Sequence, residues 1–213
     1  MLYADRRPKV LATALAVIVV IVLAYSLPPN FTGGTRVPVM FASVVMVTAV
    51  AQIWPGLRAR RPALHRRAGR VYVYAAIPAV SCAMVIGAAT PFGPFLAVSN
   101  VLLASLWSWF TINGYLAGRR RRSVEHRRHM IRGATLALSI VTNRIWTPVL
   151  FVALYPLRDS VFRGDDEHFV WMVAGVGAWL GWTIPLGAVQ WWLNRRHALA
   201  SSSISQLTNT SPV

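Results

Sequence analysis

The run RRRRSVEHRRHMIRGATLALSIVTNRIWTPVLFVALY, residues 119–155, decides the fold. Seven arginines fall between Arg119 and Arg132; Met130–Tyr155 then carries only hydroxyls, Asn143 and Arg144 besides Arg132 among apolar and small residues. The apolar part does not alternate with period two, which excludes a lipid-facing barrel strand. Backbone in hydrocarbon must satisfy itself, and that leaves a helix. A bilayer core needs about 20 mostly apolar residues per helix, and this stretch supplies them.

Five further stretches read the same way: Val10–Leu27, Val37–Trp54, Val71–Thr90, Phe95–Ala117 and Phe169–Leu193. Breakers separate them, among them Pro28-Pro29, Gly33-Gly34, Pro55-Gly56 and Pro91 through Pro94. The first follows Arg6, Arg7 and Lys9 like a secretory signal, but its apolar run of 18 residues is too long and no A-x-A site follows. It is read as a retained helix. The expected fold is therefore an all-α, polytopic membrane protein with six transmembrane helices in residues 1–196. Residues 197–213 are expected to form a disordered polar tail, being rich in Ser and Thr without apolar periodicity.

Composition agrees. Of 213 residues 55% are hydrophobic and 13% charged, with a net charge of +16. A mean hydropathy of +0.49 excludes an ordinary soluble enzyme and a soluble nucleic-acid binder alike. The single cysteine, Cys82, excludes an intrachain disulfide and an iron–sulfur site. With the N-terminus inside, 18 basic residues fall on inner segments and three (Arg36, Arg158, Arg163) on outer ones. The positive-inside rule then puts both termini in the cytoplasm. That face should attract anionic lipid headgroups, without specific recognition of nucleic acid.

An offset of 61 residues lays Arg58, Arg60, Arg61, His65, Arg66 and Arg67 over Arg119, Arg121, Arg122, His126, Arg127 and Arg128. The second helix then falls on the fourth and the third on the fifth, which would be a parallel internal repeat of helix hairpins.

The run His126-Arg127-Arg128-His129-Met130-Ile131-Arg132, with Thr142-Asn143-Arg144-Ile145-Trp146 in the helix that follows, resembles a bacterial family of multi-pass membrane proteins, domain of unknown function 2306. Leu64-His65-Arg66-Arg67-Ala68-Gly69-Arg70-Val71-Tyr72-Val73 is similar to that family's other hallmark, a His-Arg and a Gly-Arg pair opening a helix. The resemblance covers about Val37 to Pro156 and departs at His129, where such proteins often carry tryptophan. It implies a bacterial inner-membrane protein and brings no established activity.

Two groups of residues could carry chemistry. Arg144 lies near the middle of its span, where a charge is a functional-site hypothesis by default. No Asp or Glu lies in any span, so Asn143, Ser81, Ser105, Ser108, loosened carbonyls or an external anion must meet it. A haem propionate, a quinone or lipid headgroup or a substrate carboxylate would serve; so would helix tying alone. His65, His126 and His129 open helices on the cytoplasmic rim. His65 with His126 or His129 could ligate one b-type haem, with Arg66 and Arg127 towards its propionates. A second haem is excluded because the outer half offers only His168. The same three histidines could hold zinc, although no His-Glu-x-x-His pattern occurs, or could be structural.

Two functions follow as expectations: a haem b protein of membrane electron transfer, or a non-enzymatic module that binds or moves a small anionic or lipidic ligand at Arg144 and Asn143. No phosphate loop, Ser/His/Asp set or carboxylate pair is present, so no enzymatic activity is assigned. Gly177-x-x-x-Gly181 suits close internal packing, and Pro78, Pro148 and Pro185 are expected kinks. Oligomeric state and partner subunits are not legible.

Overall fold

The computed structural model describes residues 7–30 and 36–209. Among these, no strand occurs, and the helices run α1 (Arg7–Asn30), α2 (Arg36–Ile53), α3 (Pro55–Arg60), α4 (Pro62–Ala88), α5 (Gly93–Arg119), α6 (Ser123–Ala137), α7 (Ser139–Leu154), α8 (Leu157–Ser160) and α9 (Asp166–Asn209). Proline opens α3 and α4 and stands in the first turn of α5, where its missing N–H costs nothing. Gly93, at φ +82°, makes the turn into α5. Asp165 caps α9, its Oδ1 accepting from the His168 N–H at 3.1 Å.

Among the described residues, four helices are long and apolar enough to cross a membrane: Pro62–Ala88, Gly93–Arg119, Ser123–Leu154 and Asp166–Arg196. Ala12–Ala24 and Val37–Ile53 are shorter apolar helices. Their outward faces carry large exposed apolar side chains, with Val85 at 70% and Val152 at 73% exposure. Water would not tolerate so extensive an apolar surface on a monomer. The protein is a multi-pass membrane protein.

Packing follows the sequence order. α2 packs on α4, α4 on α5, α5 on α6, and α6 back on α2, closing a ring of four. The 61-residue offset carries Pro62, the first residue of α4, onto Ser123, the first of α6. α7 packs on α9, and α9 also touches α5 and α6. The ring interior is rich in small residues such as Ala49, Ala76 and Ala104, which let backbones approach closely. Trp107 Nε1 donates to the Tyr72 hydroxyl across 3.0 Å in the same core.

Pro78, Pro148 and Pro185 sit inside α4, α7 and α9. A break in the helical path falls at Leu138, between α6 and α7, where no proline stands. There the Thr142 hydroxyl donates to Ser139 O and to Gly181 O of α9, so a side chain competing for carbonyls marks the break. α9 continues as helix through Asn209. Extending a formed helix costs far less than nucleating one, and Ala and Ser tolerate it. Residues 210–213 lie outside the described residues, as do 1–6.

Candidate functional site at the basic end

The arginine-rich junctions α3–α4 and α5–α6 and the Arg195-Arg196 pair of α9 form the basic end; Asp159, Asp165, Asp166 and Glu167 surround α8 and the start of α9 at the acidic end. At the basic end α6 lies against a groove of glycines on α5. His126 Nδ1 donates to Gly114 O at 2.7 Å; a carbonyl only accepts, so this nitrogen carries the proton. A Cβ built on Gly118 would stand 2.8 Å from His126 Nδ1, and one on Gly114 would stand 2.8 Å from Met130 Sδ. Glycine at 114 and 118 therefore makes the space that His126 and Met130 fill, one turn apart.

His129 points to the same side. Its ring centroid lies 6.0 Å from that of Phe110, and its Nδ1 is buried without a hydrogen-bond partner among the described residues. One turn further in, Arg132 is half-buried. Its guanidinium carbon sits 5.6 Å from the Phe110 ring centre, and Nε donates to Gln190 Oε1 of α9 at 2.9 Å. The Gln190 amide is oriented by its own donation to Asn194 Oδ1 at 2.9 Å. Beside Arg132, an apolar groove of about 340 Å³ runs between α5 and α9, lined by Phe110, Trp182, Thr183, Leu186, Gly187 and Gln190.

The other sequence-predicted residues are dispersed. His65 lies on α4, whose carbonyl at that position accepts from Gln52 Nε2 of α2 at 3.0 Å. α4, which carries His65, packs on α2 and α5, while α6, which carries His126 and His129, packs on α5 and α9. Among the described residues no three His, Cys, Asp or Glu side chains gather, so the rim histidines form no three-ligand zinc arrangement. Arg66 and Arg127 are exposed.

Arg144 is exposed on α7, while its neighbour Asn143 turns inward. Asn143 Oδ1 accepts from Thr147 Oγ1 at 3.2 Å, and Asn143 lies 3.1 Å from where a Cβ on Gly181 would stand. Gly177 and Gly181 thus seat α9 against Asn143 and Thr147 of α7. Ser81 and Ser105 donate to carbonyls of their own helices, Ile77 O and Val101 O. They are spent locally.

The family described as "Predicted membrane protein (DUF2306)" matches residues 37–188. The chain belongs to this family. No curated protein and no solved structure matches it.

In this DUF2306 chain the family-like run from His126 to Arg132 acts first as a packing element. His126 and Met130 fill the glycine groove of α5, and Arg132 ties α6 to α9. Sequence reasoning passed over Arg132 as one arginine among seven. The available signal was its position, two residues inside the apolar run that starts at Met130 rather than ahead of it.

Proposed function

We propose that this DUF2306 protein is a six-span, non-enzymatic module of the bacterial plasma membrane, both termini cytoplasmic, that holds an anionic amphiphile at Arg132. The distribution of 18 basic residues against three supports the orientation. The ligand reading is carried by one observation: Arg132 is a half-buried cation whose described partners are a neutral amide and an aromatic ring. One of five guanidinium N–H groups is engaged by Gln190, which leaves a planar fork for a carboxylate or phosphate. The groove beside it offers apolar walls to the chain of such a molecule. This reading puts the anion site on α6, where the cation adjoins a groove, rather than at Arg144 and Asn143 of α7.

Oleate is the probe and methyl oleate its uncharged counterpart. Oleate should raise the unfolding temperature of the detergent-purified protein and methyl oleate should not. Arg132→Gln should abolish that rise, Arg132→Lys should restore part of it, and Arg122→Gln should leave it intact. An undiminished rise in Arg132→Gln defeats the reading.

A second reading keeps haem b on His126 with His65 across the ring of four helices, and the His126 tautomer favours it. With Nδ1 donating to Gly114 O, neutral His126 keeps its lone pair on Nε2, the arrangement seen in ligating histidines. Packing opposes it, because His126 is seated against Gly118 of α5. Protein from haem-replete cells with a Soret band that is lost in His65→Ala would establish it; colourless protein would dismiss it.

A further inference from the structure

A second hollow opens at the basic end on the opposite hairpin, where α2, α3 and the start of α4 meet. It measures about 490 Å³. Val47 and Ala51 of α2 and Leu57 of α3 form its apolar wall, Trp54 stands at the bend, and Arg60 and Arg61 edge it. The wall continues the lipid-facing surface, since Val47 is 55% exposed. Trp54 folds over the bend, its indole within van der Waals reach of Gly56. Neither Arg60 nor Arg61 forms an ion pair among the described residues. The one described acid at this end, Glu125, pairs with Arg122 at 3.4 Å on the other hairpin.

We infer that this hollow is a binding site for an anionic phospholipid of the leaflet at the basic end, its phosphodiester between Arg60 and Arg61 and an acyl chain along Val47 and Ala51. Two uncompensated guanidinium groups above an apolar wall ask for one molecule that is charged at its head and apolar below. A soluble anion would leave the wall unused. A second copy of this chain would bring its own arginines to the same edge, with a net charge of +16 on each. The site shares no residue with the Arg132 groove.

Full-length protein, delipidated in detergent, is titrated with phosphatidylglycerol and phosphatidylcholine and followed by native mass spectrometry and unfolding temperature. Phosphatidylglycerol should be retained and stabilising, and the Arg60→Gln/Arg61→Gln double variant should bind it roughly tenfold more weakly. Val47→Trp, which fills the wall and leaves the charges, should weaken it too. Arg119→Gln/Arg120→Gln should leave it unchanged, which separates this site from general surface charge. Inorganic phosphate should not compete. Wild-type retention by the double variant, equal loss in Arg119→Gln/Arg120→Gln, or displacement by inorganic phosphate would each overturn the assignment.

Discussion

His126 and Gly114 are joined by a 2.7 Å hydrogen bond from imidazole Nδ1 to a helical carbonyl, and Gly118, one turn on, leaves the space in which that ring lies. The bond links the two strongly packed members of the second hairpin, α5 and α6, at the end where the arginines concentrate.

If the ring and the two glycines act as a unit, His126→Ala and Gly118→Ala should each cost about 1 kcal/mol, and the double variant little more than either. A methyl on Gly118 forces the imidazole out and breaks the same bond that His126→Ala deletes. Thermal unfolding of the four proteins in one detergent measures the coupling; strict additivity would mean that the contacts are independent.

Tyr72→Phe should destabilise the core by about 1–3 kcal/mol, since it leaves the buried Trp107 N–H without its acceptor. The Tyr72→Phe/Trp107→Phe double variant removes donor and acceptor together and should fall short of the sum of the single losses. Unfolding temperature reads both.

Acid should loosen the acidic end through Asp165. The backbone N–H of His168 and then its imidazole hold this carboxyl below the ordinary carboxylate value. A group whose value is lowered on folding stabilises the fold above its unfolded value, about pH 4, and that contribution fades as pH falls through the lowered value. The difference in unfolding temperature between Asp165→Asn and wild type should therefore be smaller at pH 3 than at pH 7. An equal difference at both values would discard the explanation. Asp166, held low chiefly by Arg158 and raised by the neighbouring Asp165 carboxylate, is present in both proteins.

Orientation can be read with a thiol reagent that does not cross membranes. In a Cys82→Ala background, Ser160→Cys at the acidic end should react in intact cells, and Ser123→Cys at the start of α6 only after permeabilisation. The reverse pattern would invert the topology.

Gly93→Ala should be poorly tolerated. The residue sits at φ +82°, and a Cβ there would stand 2.6 Å from the Trp171 ring of α9. Strain and overlap together should cost about 2 kcal/mol or more, against a lesser cost from backbone strain alone for Gly164→Ala, where φ is +79° and nothing lies within 4 Å. Unfolding temperatures of the two variants decide whether packing adds to the backbone term.

The class of this protein was legible from order alone. Runs of apolar residues bounded by Pro and Gly impose helices wherever water is absent, because a backbone in hydrocarbon has no other partner. The burial of individual polar residues was not legible, because hydropathy along a chain says how deep a residue lies and not which way it faces. Arg144 and Asn143 are neighbours, yet one is exposed and the other is packed against Gly181. Arg132 looked like one more rim arginine until α9 brought Gln190 to it from 58 residues away in the chain. Periodicity and charge act locally and can be read along the sequence; a site made by helices that are neighbours only in space exists only after they have packed.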